Sequence, residues 1–142
     1  MWRSPGMSFN DYRDLDVWQL ARQLVRRTYD ATRNFPDTER FGLTSQLRRA
    51  AISVPSNVAE GWGRHYTAEF VQFLRKASGS RAELETQLIL AADLGYLKAS
   101  DVGDLLQITA RVGMMLLSLE RSLLRRARTA CAANPDQETP SG

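Results

Sequence analysis

Between residues 105 and 123 the chain repeats apolar residues at intervals of three and four: Leu105, Ile108, Val112, Met115, Leu116, Leu119 and Leu123. A stripe of this kind predicts a helix with one continuous apolar face, and that face is stable only when other helices cover it. Three more segments have the matching period, and no alternating strand pattern competes with them. The first spans about Leu15 to Arg33, with Val17, Trp18, Ala21, Leu24 and Val25 on one face and Asp14 placed to cap its start. The second runs from Glu39 or Phe41 to a stop signal at Gly61-Trp62-Gly63. The third starts at Thr67 as N-cap, with Tyr66 and Val71 as a hydrophobic staple, and ends at Gly95. Ser100 is the expected cap of the fourth.

Short connections between four such helices predict an all-α, up-down-up-down four-helix bundle. A chain of 142 residues with 43% hydrophobic content holds one core. The expected bundle domain is 14–128, flanked by a flexible N-terminus, 1–13, and a disordered C-terminal tail, 129–142, which has no periodic apolar face. The single cysteine, Cys131, has no internal disulfide mate, which favours a reducing compartment. The first residues, MWRSPGMSFNDYRD, hold no apolar run suited to a signal peptide, and no later run reaches 18 uninterrupted apolar residues. The expectation is a cytoplasmic protein without a membrane partner.

The second helix carries two puzzles. Pro55 stands in its middle, where proline removes a hydrogen bond at a cost of about 3 kcal/mol. We expect a bent helix whose freed Ala51 carbonyl takes the Ser53 or Ser56 hydroxyl, with two helices abutting at Pro55 as the alternative. Beside the apolar stripe of Leu43, Leu47, Ala50, Val54 and Val58 runs a polar one, Gln46, Arg49, Ser53, Asn57 and Glu60. The third helix has a similar flank, Gly79, Ser80, Glu83 and Gln87, and its apolar stripe contains Arg81 with Glu85 one turn on. These short and amide-bearing residues are unlike a solvated Lys/Glu face and form a candidate subunit interface; the plain alternative is ordinary surface, with Arg81 snorkelling to an edge.

Catalytic chemistry finds few residues to use. One histidine, His65, and one tail cysteine exclude a zinc site of the usual kind, and no Glu-x-x-His pair exists for a carboxylate di-iron centre. The glycines of EGWGRH lack the strand and lysine of a phosphate loop. Ser53, Ser56 and Ser80 have no evident base. We therefore expect no enzyme and no cofactor, with an enzyme built on Arg81, Glu85 and the seam as a third reading.

Charge gives a better lead. Seventeen of the nineteen basic residues are arginine, and residues 1–128 carry a balance of +5. Arg121, Arg125, Arg126 and Arg128 crowd the end of the fourth helix, with Arg26 and Arg27 near the end of the first. They are candidate nucleic-acid contacts, against the reading that they complement a helix dipole. Trp2, Trp18 and Trp62 offer base stacking only where exposed, and Trp18 is expected in the core.

The runs SQLRRA, ISVPSNVAEG and GS-x-x-E-L-E-T-Q-L, in that order and spacing, resemble the bacterial four-helix-bundle proteins first noticed as products of intervening sequences in 23S ribosomal RNA genes. The likeness extends from about Phe9 to Leu123. It implies the bundle fold, a ring-shaped homopentamer, and kinship with the accessory protein of diversity-generating retroelements, a basic pentamer that binds nucleic acid and a reverse transcriptase. It implies no enzymatic activity. The family pattern covers Gln46, Arg49, Ser53, Pro55, Asn57, Glu60, Gly61, Gly79, Ser80 and Glu83. The function expected is a non-enzymatic homo-oligomer that binds RNA or DNA without sequence preference; the alternative is an oligomeric scaffold for protein partners.

Overall fold

The computed structural model describes residues 11–133. Within them lie four helices: α1 (Asp16–Thr32), α2 (Leu43–Gly63), α3 (Thr67–Asp93) and α4 (Ala99–Ala133). Each of α1 and α3 packs on both α2 and α4, so the helices stand in a ring around one core. Phe70, Leu24, Leu47, Leu74, Leu84, Leu88, Leu105, Leu116 and Leu123 are almost fully buried in it. Each contributes about 1.5–3 kcal/mol by leaving water. The buried hydroxyls of Thr28 and Thr32 bond back to the Leu24 and Thr28 carbonyls, at 2.8 and 2.9 Å.

The helix ends depart from expectation in instructive ways. Asp14 does not cap α1. It closes a reciprocal box with Asp11 around a 3₁₀ turn, Tyr12–Asp14, and the backbone of Leu15 begins α1 without a side-chain cap. The Leu15 side chain is 4% exposed, so burial fixes this entry in place of a cap. Glu39, expected near the start of α2, stands outside it in a second 3₁₀ turn, Asp37–Glu39, and its Oε2 accepts the Leu43 N–H at 2.8 Å. Phe41 is left 87% exposed.

Thr67 and Ser100 are not caps either. Thr67 is already helical, following Tyr66, and α4 begins earlier, with the Val102 N–H on the Lys98 carbonyl at 3.1 Å. Gly95 does end α3. At φ 80° it lets the Tyr96 N–H reach the Ala91 carbonyl and its own N–H reach Ala92, a Schellman closure. Helix α4 continues to Ala133, so 129–133 are helical and not a disordered tail. The residues before 11 and after 133, with Trp2 and the rest of both expected flexible ends, lie outside those described.

Helix α2 runs unbroken through Pro55, which excludes two abutting helices. The serine rescue of Ala51 does not occur: Ser56 Oγ bonds the Ile52 carbonyl at 2.8 Å, and Ser53 turns to α3. Helix α2 ends at Gly63, within the expected Gly61-Trp62-Gly63 stop, but Gly61 itself has another role. It lies inside α2 against α3, where a Cβ would meet Phe73 Cβ at 2.7 Å, and the turn is made instead by His65 at φ 65°.

Among the described residues α4 alone is long and apolar enough in composition to cross a membrane, with a mean hydropathy of 1.3 over 18 residues. In this fold its Val102, Leu105, Val112, Leu116 and Leu123 fill the bundle core.

Candidate interfaces: a polar seam and two arginine groups

The two polar stripes read from the sequence meet each other. Helices α2 and α3 are antiparallel, and Ser53 Oγ lies 2.7 Å from Ser80 Oγ while Arg49 pairs with Glu83 at 3.2 Å. Asn57 Nδ2 donates to both the carbonyl and the hydroxyl of Ser53, at 2.7 and 2.9 Å. Gln46 Oε1 accepts from Arg49, and Gln87 Nε2 donates to Glu83. Seven of the nine candidate interface residues thus form one ladder inside a single chain. Of the other two, Glu60 pairs with Arg64 just past the end of its own helix, and Gly79 faces open space. The outer pair, Arg49 and Glu83, is 68% and 44% exposed and contributes at most about 1 kcal/mol. Ser53, Asn57, Ser80 and Gln87 are half-buried, and Gln87 Oε1 is buried without a hydrogen-bond donor.

The line Glu83, Gln87 continues at helical spacing into Leu90 and Leu94, which are 47% and 59% exposed. Sequence reasoning missed these two, although their places seven and eleven residues after Glu83 put them on the same face.

Arg81 neither joins the seam nor reaches outward. It lies across α4, so close to Gly113 that a Cβ there would be 2.7 Å from its Nε, and it holds Glu85 at 2.8 Å. Its side chain is 22% exposed and its Nε has no acceptor. Gly113 makes room for a guanidinium that the apolar stripe of α3 would otherwise have to exclude.

The candidate nucleic-acid arginines divide into two groups. Arg26 lines a groove of about 530 Å³ between α1 and α4, and Arg27 is exposed on α1. Arg121, Arg125 and Arg128 are exposed on α4, and Arg126 is half-buried there. The helices run antiparallel, since Arg26 shares its groove with Arg111 while Leu15 and Val17 sit beside Ser118 and Ser122. At 1.5 Å per residue the step from Arg111 to Arg125 is about 20 Å. The two groups lie toward opposite ends of the bundle. Trp62 is buried against Phe70, and Trp18 is packed under Arg22 and beside Tyr12, so neither presents an open stacking face.

The family model for the 23S rRNA-intervening sequence protein matches residues 13–118. The chain belongs to that family. A solved structure of a protein of unknown function from the S23 ribosomal protein family of Bacteroides thetaiotaomicron superposes with a TM-score of 0.68 at 18% identity, covering 74% of this chain and 95% of that one. At that identity the likeness shows the shared bundle and nothing more. A search of curated proteins found no match. The matched span contains SQLRRA, ISVPSNVAEG and GS-x-x-E-L-E-T-Q-L, which carry Gln46, Arg49, Ser53, Asn57, Ser80, Glu83 and Gln87.

Proposed function

We propose that this member of the family is a non-enzymatic, cytoplasmic homo-oligomer, a pentamer by its family resemblance, that binds RNA or DNA without strong sequence preference as an accessory to another machine. The observation that carries the reading is the state of its arginines. Arg26, Arg27, Arg121, Arg125 and Arg128 make no ion pair among the described residues, although guanidinium groups pair readily with carboxylates where a fold supplies them. Unneutralised arginines on two ends of a bundle suit a long polyanion, and repetition around an oligomer multiplies weak contacts.

Self-association is supported by the α2/α3 edge, where the half-buried seam, the bare Gly79 and the exposed Leu90 and Leu94 form one strip. The absence of catalysis is supported by the serines, whose hydroxyls bond one another or backbone carbonyls in place of a base. Met114 and Leu117, 73% and 45% exposed on α4, favour the second reading, a scaffold for protein partners. Replacing Arg125, Arg126 and Arg128 with Glu should abolish RNA binding with the helical circular-dichroism signal intact, and replacing Ser53 and Asn57 with Lys should reduce the mass by light scattering to that of one chain. Undiminished RNA affinity removes the α4 patch from the reading; an unchanged mass removes the seam. A protein captured by the wild-type oligomer and retained after nuclease treatment, without RNA binding, supports the scaffold.

A further inference from the structure

The groove between α1 and α4 holds three arginines in a small space. Arg22 and Arg26 stand one turn apart on α1, and Arg111 reaches in from α4. Asp16 is the single carboxylate on its wall, yet none of the three arginines makes an ion pair with it or with any other described residue. Leu20 and Met115 form its apolar part. Arg22 is held by stacking over Trp18, with its Cζ 5.8 Å from the ring centroid. A cation–π approach of this kind uses none of the guanidinium N–H donors, so the fork stays available.

Three exposed guanidiniums against one carboxylate give the wall of this groove of about 530 Å³ a local balance of +2, which attracts an anion. Other arginines of this chain have been given carboxylates: Arg33 has Asp30, Arg64 has Glu60 and Arg75 has Glu120. The groove also lies between the two helices that take no part in the α2/α3 seam, so an oligomer built on the seam leaves it open. The geometry points to this groove as the seat of a nucleic-acid backbone, with Arg22, Arg26 and Arg111 each binding a phosphodiester oxygen. The inference rests on the nucleic-acid reading above and adds two residues, Arg22 and Arg111, that sequence reasoning did not select. It adds a contact on α1 and the N-terminal half of α4 to the patch at the α4 terminus.

The test measures the affinity of the full chain for a labelled single-stranded RNA by anisotropy across a salt series. The variant Arg22→Gln/Arg26→Gln/Arg111→Gln is compared with Arg13→Gln/Arg33→Gln/Arg64→Gln, which loses the same charge from arginines already ion-paired. Each lost phosphate contact should lower the slope of log affinity against log salt by about 0.7, so the groove variant should lose roughly two units of slope. The control should keep the wild-type slope. Lysine at the three groove positions keeps the charge without the fork and should retain the slope with several-fold weaker binding. A groove variant that binds like wild type, a control that loses as much, or a lysine variant that loses the slope overturns the assignment while leaving RNA binding in place. A wild-type protein that binds no nucleic acid removes the groove together with the reading beneath it.

Discussion

Gly61 of α2 and Phe73 of α3 stand so close that a Cβ on Gly61 would lie 2.7 Å from Phe73 Cβ, with Phe70 Cδ1 at 3.0 Å behind it. Alanine normally stabilises a helix interior by about 1 kcal/mol relative to glycine. Here the contact is with a side-chain stem and the α3 backbone beyond it, so Gly61→Ala should cost about 1–3 kcal/mol by overpacking. At Gly113 the neighbour is the far end of Arg81, which can swing aside, and Gly113→Ala should change stability by less than about 1 kcal/mol. Urea midpoints read both. A Gly61→Ala protein as stable as wild type would mean that α2 and α3 do not approach so closely.

His65 holds a left-handed backbone, φ 65°, in the loop between α2 and α3. That conformation costs a non-glycine residue about 1–2 kcal/mol. His65→Gly should raise the melting temperature, and His65→Val should lower it. A lower melting temperature for the glycine variant would show that the imidazole makes an offsetting contact.

The Ser53–Ser80 bond predicts non-additive mutants. Ser80→Ala leaves the Ser53 hydroxyl bonded to Asn57 alone, and Ser53→Ala removes the partner of both Ser80 and Asn57, at about 1 kcal/mol or more, whereas removing both hydroxyls should cost less than the sum by about 0.5–1.5 kcal/mol. Additive losses in a double-mutant cycle would place the two hydroxyls apart.

Tyr96 joins the two loops at one end of the bundle, its ring tilted 50° against that of Phe35 with centroids 5.4 Å apart, and it donates to Glu39 Oε1 at 3.3 Å. Burial, and then the Glu39 carboxylate, push its phenol above the ordinary value of about 10. Because the folded pKa is the higher one, the phenol's contribution is complete below about pH 10 and fades as pH rises through the folded value. The alkaline unfolding midpoint should therefore move upward in Tyr96→Phe. Phenolate absorbance of Tyr96 appearing at the pH of an exposed tyrosine would contradict this.

The sequence made the bundle legible because the apolar stripes of all four helices repeat at threes and fours, and the polar stripes could be placed on a flank by the same arithmetic. It did not show that Ser53 and Ser80 face each other, since that depends on the α2/α3 register, to which the close approach of Gly61 and Phe73 belongs. The cap assignment at Asp14 failed because a 3₁₀ turn closed with Asp11 and the burial of Leu15 fix the start of α1, whereas α3 and α4 simply open one residue or more before the expected position, on exposed chain. The Arg22–Arg26–Arg111 cluster was illegible because its members come from helices far apart in sequence.

Multivalent contact between the arginines and phosphates is read out by titrating the wild-type chain into labelled single-stranded RNA at about 50 and about 200 mM salt. Submicromolar binding is expected at the lower salt, weakening steeply, by several orders of magnitude in affinity for six or more contacts per oligomer. Absence of binding at tens of micromolar, or binding indifferent to salt, would contradict it.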